Sequence, residues 1–308
     1  MNNICIGVIT YKRPIGLKHL LNALKTQELD NIKLSVIVVD NDATGENKKV
    51  IDAIEDSLPY DVSLYVEKTR GIVAARNRVV TEFLKTDNEA LIFIDDDEWP
   101  VNSNWIKKLL EVYIKYDADI VYSDALVIPE SDDISWINKA FRINKMKAEI
   151  TPIQKFFTNN LWITRHVLEK LNPPFDQRFA MTGSSDLHFS IKVNNSGFKA
   201  YYTPFAPVEE VFHKSRANYK WFFLRGYRVG EGSTRANIYE GSSPLKYLYI
   251  PYMSLGRLFK SILNFIKSVF TLDKGYLAAS ITYLGAAIGT ITGLFGLTYD
   301  EYNITHGK

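Results

Sequence analysis

The sequence predicts an α/β fold in which a mixed, mainly parallel sheet carries helices on both faces. Over the first hundred or so residues, short apolar runs typical of buried strands alternate with segments of helical periodicity. Each apolar run also ends in polar or charged residues. Because parallel strands place their carboxyl ends at one edge of a sheet, we expect these polar residues to converge on one crevice.

The predicted elements follow one another in the order strand, helix, strand. Pro14 suits the first turn of the first helix, and leucines then recur at helical spacing. A later helix is predicted over residues 72–84. The predicted strands are residues 4–9, 34–39, 62–66 and 91–94. No G-x-G-x-x-G or G-x-x-x-x-G-K-[ST] sequence follows the first strand, which argues against a dinucleotide enzyme and a P-loop NTPase.

The composition is that of an ordinary globular protein. Of the 308 residues, 46% are hydrophobic and 23% charged, and the net charge of +2 gives no reason to expect nucleic acid as a partner. The single cysteine, Cys5, excludes an internal disulfide and is expected to be buried. No signal peptide precedes the first strand, so we expect the catalytic part to stay in the cytoplasm.

Three consecutive aspartates, Asp95, Asp96 and Asp97, follow the fourth predicted strand. Like charges this close raise each other's pKa, and a divalent cation bridging them to a substrate phosphate offsets the repulsion. A solvated acidic turn is the alternative. Convergence with the ends of the other strands favours the metal site, because a surface turn requires no such neighbours.

Five sequence elements, taken in order, resemble family 2 glycosyltransferases of the GT-A fold. The first 230 or so residues are most similar to bacterial exopolysaccharide glycosyltransferases of the succinoglycan type. The matching elements are residues 8–14 (VITYKRP), 38–41 (VVDN), 71–77 (GIVAARN), 93–100 (FIDDDEWP) and 183–186 (GSSD).

The resemblance implies a UDP-sugar donor and a divalent cation, Mn²⁺ or Mg²⁺. Asp97 would be the direct metal ligand, with Asp95 nearer the ribose or the sugar. Asp40 would hydrogen-bond the base or the ribose. The residues expected to bind the nucleotide sugar are Thr10, Tyr11, Arg13, Asp40, Arg70, Arg76, Asn77, Asp95, Asp96, Arg225 and Arg228. The expected metal ligands are Asp97, Asp95 and His213; for His213 a structural hydrogen bond is the alternative.

The same resemblance assigns the catalytic base of an inverting transfer to Asp186. Family members place the base second in a Glu-Asp pair that opens a helix, and here Ser185 replaces the glutamate. The alternative is that Ser184 or Ser185 caps this helix and Asp186 only favours the positive end of its dipole.

A further helix is predicted after Ser215, which suits an N-cap. Arg225 and Arg228 share one face of it and are expected to reach a pyrophosphate. Processive relatives carry a Q-x-x-R-W element in a comparable region, and its absence predicts addition of a single sugar.

The predicted catalytic domain covers residues 1–240 and a helical, membrane-associating tail covers 241–308. Residues 244–270 have the pattern of a basic amphipathic segment on an anionic membrane surface, and residues 277–297 are 21 uncharged residues that either span a bilayer or form a packed hairpin. This tail favours a saccharide acceptor carried on a polyprenyl pyrophosphate and a location at the cytoplasmic face of the bacterial inner membrane. The alternative function is a membrane-associated nucleotide-sugar-binding protein without transfer activity.

Overall fold

The computed structural model describes residues 2–142, 148–240 and 246–298 of the chain. Its first part alternates strands and helices as predicted. These elements are β1 (Asn3–Thr10), α1 (Pro14–Leu24), β2 (Lys33–Asp40), α2 (Glu46–Asp52), β3 (Asp61–Val66), α3 (Ile72–Phe83) and β4 (Ala90–Asp95).

The second part contains shorter strands and longer helices. The elements are β5 (Glu98–Pro100), α4 (Trp105–Tyr116), β6 (Ile120–Tyr122), β7 (Ala125–Pro129), α5 (Ile137–Arg142), β8 (Thr151–Pro152), β9 (Leu161–Thr164), α6 (Arg165–Lys170), α7 (Ser185–Asn195), β10 (Ala200–Tyr202), β11 (Val208–Phe212), α8 (Tyr219–Glu240), α9 (Lys246–Thr271) and α10 (Lys274–Leu294).

Within the described residues the main sheet has eight strands, in the order β3-β2-β1-β4-β9-β6-β10-β8. Its first four strands are parallel, and β9 runs antiparallel to both β4 and β6. The register sets Thr10 beside Asp40 and Ile9 beside Asp95, so three strands end at one level. The polar residues that follow β1, β2 and β4 therefore meet at one edge, as expected.

Helices cover both faces of this sheet. On one face, α3 and α7 bury side chains such as Phe83 and Phe189 in a cluster with Cys5. On the other face, α1 and α4 bury Leu20 and Trp105. Cys5 is fully buried, as predicted, and burial raises the pKa of its thiol to about 12, so it stays an uncharged core residue.

A small sheet in the order β5-β11-β7 adjoins the main one. Asp95 ends β4 and Glu98 begins β5, so the acidic turn connects the two sheets. Strand β11 leads through a short 3₁₀ turn into α8. The small sheet thus brings β11 and the start of α8 to the same side as the acidic turn.

The three C-terminal helices form a layer in which α10 lies between α8 and α9. A Cβ added to Gly230 of α8 would come within 2.3 Å of the carbonyl oxygen of Ala286, and one added to Gly289 of α10 within 2.0 Å of that of Tyr227. Only glycine permits this approach of the two backbones. Although 240 is the predicted domain boundary, α10 packs directly on α8 and α5.

Among the described residues, α10 is the one helix that is long and apolar enough to cross a membrane, and half of its apolar stretch is buried inside the protein. Burial of this kind is also found in core helices of soluble proteins.

Candidate active site

A cleft of about 330 Å³ opens where the strands of the main sheet end and β11 and α8 approach them. Nine of the predicted site residues line it: Thr10, Tyr11, Arg13, Arg70, Asp95, Asp96, Asp97, Arg225 and Arg228. They come from four separate segments of the chain, so the crevice expected from the parallel strand order is present.

Arg13 holds the acidic turn together. Its Nη1 lies 2.9 Å from Asp96 Oδ1 and 2.6 Å from Asp97 Oδ2. Burial by itself would lower the pKa of Arg13, but the charges of Asp97 and Asp96 outweigh it and raise that pKa above its ordinary value. Helix α1 can approach the turn because position 16 is glycine: a Cβ there would lie 2.6 Å from the Asp96 carbonyl oxygen.

Two carboxyl groups of the turn, those of Asp95 and Asp96, resist ionisation. Burial raises the pKa of Asp96 to about 7, although Arg13 favours its charged form. Burial also raises the pKa of Asp95; Arg76 opposes this rise, and the charges of Asp97 and Asp186 add to it. Glu98 fixes the backbone of the turn. It accepts hydrogen bonds from the Asp95 amide at 3.2 Å and from Asn159 Nδ2 at 3.1 Å.

The loop after β3 forms the opposite side of the cleft. Asn41 fixes this loop by donating to the carbonyl groups of Glu67 and Thr69, both at 2.8 Å, and by accepting the Gly71 amide at 2.9 Å. The guanidinium of Arg70 lies 5.9 Å from the centre of the Tyr11 ring. An aromatic ring and a cation at this position suit the base and phosphates of a nucleotide.

Three predicted nucleotide-binding residues do not line the cleft. Asp40 is buried and accepts the Asp42 amide at 2.9 Å, and the next residue, Asn41, lines the cleft instead. Asn77 donates to the carbonyl oxygen of Phe175 at 2.8 Å. Arg76 is buried behind the cleft, where its Nη1 donates to Ser185 Oγ at 3.1 Å.

Asp186 lies in the first turn of α7, near the cleft. Its charge is close enough to influence the pKa of both Asp95 and Arg225. Ser184 is the N-cap residue of α7, but neither serine caps the helix through its side chain: Ser184 makes no capping hydrogen bond, and Ser185 Oγ accepts from Arg76. The other part of the alternative, a role for Asp186 at the positive end of the helix dipole, stays open beside its predicted role as base. Asp186 Oδ1 accepts the Leu187 amide at 2.8 Å, which orients the carboxylate.

Strand β11 and helix α8 supply the remaining wall. Glu210 Oε1 lies 3.2 Å from Arg216 Nη1, and Arg225 lies over the Trp221 ring at 5.2 Å. Burial raises the pKa of Glu210 and lowers that of Arg225. The start of α8 differs from the prediction: its Trp221 amide donates to Asn218 Oδ1 at 2.9 Å, whereas Ser215 lies in the preceding 3₁₀ turn.

His213 does not reach the cleft, so the structure gives no support to its predicted role as a metal ligand. Its Nδ1 lies 3.4 Å from Glu130 Oε1, the structural contact named as the alternative. Within the described ranges no group of three histidine, cysteine, aspartate or glutamate residues is arranged to hold a metal by itself.

The acidic turn nevertheless fits a divalent cation that takes some of its ligands from the turn and the others from a diphosphate. Asp96 Oδ2 is buried with no hydrogen-bond partner, and Asp97 keeps 19% of its side chain exposed towards the cleft. Oxygen donors suit Mg²⁺ and Mn²⁺, and Mg²⁺ commonly takes only one or two carboxylates with the phosphates of a substrate. Asp97 and Asp95 are the residues that would hold such an ion.

Three charged or amide side chains that line the cleft, those of Asn41, Glu210 and Arg216, are absent from the predicted site. Asn41 directly follows β2, so its place at the carboxyl end of a parallel strand was the available signal. Glu210 gave no usable signal, because its position depends on a five-residue strand of the small sheet.

Sequence comparisons agree with these features. A model of glycosyl transferase family 2 matches residues 5–180 of the chain. The succinoglycan biosynthesis protein ExoM of Rhizobium meliloti (strain 1021) is 27% identical over 232 residues, which cover 74% of this chain and 73% of that protein. The glycosyltransferase AglE of Haloferax volcanii is 23% identical over 239 residues, with 74% and 72% covered.

Solved structures share the fold. Mannosyltransferase PcManGT of Pyrobaculum calidifontis, in complex with GDP-Man and Mn²⁺, has a TM-score of 0.64 at 17% identity, with 94% of this chain and 86% of that chain covered. S. aureus TarS 1-349, in complex with UDP-GlcNAc, has a TM-score of 0.53 at 12% identity, with 95% and 92% covered. The predicted GT-A fold and the predicted family are both confirmed. The chain belongs to glycosyl transferase family 2 and is a glycosyltransferase enzyme of the GT-A fold.

Proposed function

We propose that the protein transfers one sugar at a time from a UDP-sugar to a saccharide acceptor, with inversion at the anomeric carbon. The observation that carries this proposal is that the acidic turn and the arginines of α8 line one cleft. Asp186 does not line that cleft itself, but its charge acts on both Asp95 and Arg225, one from each of these two groups.

Each group has a separate task in the proposed reaction. Asp186 accepts the proton of the acceptor hydroxyl as that oxygen bonds to the anomeric carbon and the bond to the diphosphate breaks. Arg225 and Arg228 offset the negative charge that develops on the departing diphosphate. Arg70 and Tyr11 hold the nucleotide end of the donor. A Mn²⁺ or Mg²⁺ ion at Asp97 and Asp95 supplies further neutralisation of the diphosphate when bound.

The relatives support this proposal without fixing the substrates. PcManGT was solved with GDP-Man and TarS with UDP-GlcNAc, so both nucleotides are compatible with the fold. The named role of ExoM in succinoglycan biosynthesis supports a place in exopolysaccharide assembly. We further propose that the acceptor is a lipid-linked saccharide and that transfer takes place at the cytoplasmic face of the inner membrane.

A donor screen tests the donor and the ion. The purified full chain is incubated with UDP- and GDP-sugars, with Mn²⁺, with Mg²⁺ or with a chelator. Nucleoside diphosphate release is then measured with and without membrane lipid extract. We expect release from a UDP-sugar that needs the ion and rises with lipid extract; release without any divalent ion would contradict the proposed metal dependence.

Asp186→Asn tests the catalytic base. The variant keeps the shape and the Leu187 hydrogen bond of the native residue, so we expect donor binding by calorimetry to be unchanged while turnover falls by about a thousandfold. Asp61→Asn, at the exposed start of β3, is the matched control and should turn over normally. Normal transfer by Asp186→Asn would refute the assignment. Donor binding without turnover by the native chain would favour the non-transferring alternative.

A further inference from the structure

Helix α9 has its apolar and polar faces reversed relative to a helix on a water-exposed surface. Ser261 and Asn264 are each only 6% exposed, and Ser268 is buried as well. Its large apolar side chains point outward instead: Leu255, Phe259, Ile262, Phe265, Ile266 and Val269 are all exposed. A surface helix of a soluble protein normally buries such residues and exposes the polar ones, and exposed apolar patches of this kind mark interaction sites.

Hydrogen bonds to α10 fix this orientation. Ser261 Oγ donates to the Ser280 carbonyl oxygen at 2.8 Å, and Ser280 Oγ donates back to that of Ser261 at 2.9 Å. About two turns earlier in α9, Ser254 Oγ donates to the Ala287 carbonyl oxygen at 2.9 Å. Rotating α9 to bury its apolar face would leave these groups without partners, at the cost of unsatisfied polar atoms.

The charge of α9 identifies what covers the exposed face. Residues 246–271 contain four basic residues and no acidic one. One of the four, Arg257, donates to the Ala286 carbonyl oxygen of α10, whereas Lys260 and Lys267 are exposed. Lys260 and Lys267 lie seven residues apart, on one flank beside the apolar face, and exposed tyrosines such as Tyr249 and Tyr252 occupy the first turns. Lysines beside an apolar face, with tyrosines at the interface, match the headgroup region of an anionic bilayer. A second copy of α9 would instead bring like charges together.

The position of α10 argues against its crossing that bilayer. It lies between α9 and α8, and α8 buries Glu231 and Arg235 and carries part of the cleft wall. Inserting α10 across a bilayer would take these charged groups into the hydrocarbon or strip α10 of its partner. An in-plane α9, by contrast, needs no change in the packing of α8 and α10.

We propose that α9 is an in-plane membrane anchor that lies on an anionic lipid surface, and that α10 connects it to the catalytic domain. The anchor does not depend on the transfer reaction, because it is defined by lipid binding alone. Vesicle co-sedimentation of the full chain, without sugar substrates, therefore tests it separately from the proposed function.

The vesicles are phosphatidylcholine alone or an equal mixture with phosphatidylglycerol. We expect the native chain to bind the anionic vesicles and to be released by salt. Phe259→Gln/Ile262→Gln changes side chains that are 62% and 50% exposed, so the fold should persist while lipid partitioning weakens about tenfold or more. Ile114→Gln, on α4 and 67% exposed, is the matched control and should bind as the native chain does.

Charge reversal provides the second arm. Lys260→Glu/Lys267→Glu should weaken binding to anionic vesicles and flatten its salt dependence, whereas Lys33→Glu/Lys49→Glu, at exposed positions outside the tail, should not. Equal binding of all these variants would overturn the proposal. So would a native dimer that the α9 variants convert to a monomer without any lipid binding.

Discussion

Burial makes ionisation unfavourable for several carboxyl groups of this protein. Asp124, which lies outside the acidic turn, is one of them. It is buried, its Oδ2 accepts the Tyr202 hydroxyl at 2.7 Å, and burial raises its pKa to about 6. When the pKa of a carboxyl group is higher in the folded protein than in the unfolded chain, its contribution to stability is complete below the unfolded pKa. That contribution is lost as the pH rises through the folded pKa.

Asp124→Asn should therefore stabilise the protein at pH 8 but not at pH 3. The amide keeps the acceptor for Tyr202 and removes the charge, so the gain should grow between about pH 4 and pH 6 and reach at most about 2–3 kcal/mol. Thermal unfolding across this range measures it. Asp117→Asn, whose carboxylate is 90% exposed, is the control, and a gain independent of pH would contradict the assigned cause.

Arg13 offsets the repulsion between the carboxylates of the acidic turn by pairing with both Asp96 and Asp97. Arg13→Gln leaves the carboxylates of Asp96 and Asp97 without their shared partner, and losing one side of such a pair costs about 3–5 kcal/mol when it is buried. Because Asp97 is partly exposed, the lower end applies. The loss should increase as the pH rises through about 7, where Asp96 ionises.

Mn²⁺ should restore part of the stability lost by Arg13→Gln, since the ion replaces the missing positive charge. Thermal unfolding at pH 5 and pH 8, with and without Mn²⁺, checks both expectations. Lys48→Gln, which removes a solvent-exposed ion pair with Asp52, is the control and should respond to neither. Insensitivity of Arg13→Gln to Mn²⁺ would count against a cation site at the turn.

At the level of elements, the close contact of α8 and α10 depends on glycine. Gly230→Ala would place a Cβ 2.3 Å from the Ala286 carbonyl oxygen, so the helices must separate, at a cost of about 1–3 kcal/mol. Gly256→Ala is the matched control, because a Cβ there meets nothing within 4 Å and alanine favours a helix. Differential scanning calorimetry should show a lower melting temperature only for Gly230→Ala; equal values would mean that the two helices do not pack this way.

Long, strongly patterned elements could be predicted from the sequence, and short ones could not. Strands β1 to β4 and helix α3 agree with the prediction to within one residue at each end, because their apolar periodicity is continuous, and α1 has Pro14 in its first turn as predicted. Strands β5, β6, β8 and β10 contain only two or three residues, too few to carry a period. The cleft residues on the parallel strands were accordingly predicted, whereas Glu210 was not.

At the scale of the whole molecule, residues 1–240 and the C-terminal helices are not independent. Helix α8 presents its glycine face to α10, and α10 also packs on α5. A chain truncated after residue 240 should therefore melt at a lower temperature or be insoluble, even though the family model ends at residue 180.

The full chain carrying Phe259→Gln/Ile262→Gln is the comparison for this truncation, since it keeps α10 in place and should melt like the native protein. Light scattering and thermal unfolding distinguish the two. A stable, soluble 1–240 fragment would show that the α8–α10 contact contributes little. Because truncation removes packing as well as the anchor, point substitutions in α9 are the better test of lipid binding.

The position of α10 between α8 and α9 sets how far the arginines of α8 lie from a lipid surface under α9. Gly285, Gly289 and Gly293 meet α8 in the same order as its own residues, so α8 and α10 run in the same direction. Because α10 lies between them over most of their length, α8 stands about one helix diameter, roughly 10–12 Å, beyond the surface of α9. If α9 rests on lipid, Arg225 and Arg228 are held at that height above the bilayer. Lipid-linked acceptors whose sugar sits lower should then be used less efficiently, which a series of acceptors of increasing length, compared by kcat/KM, would reveal.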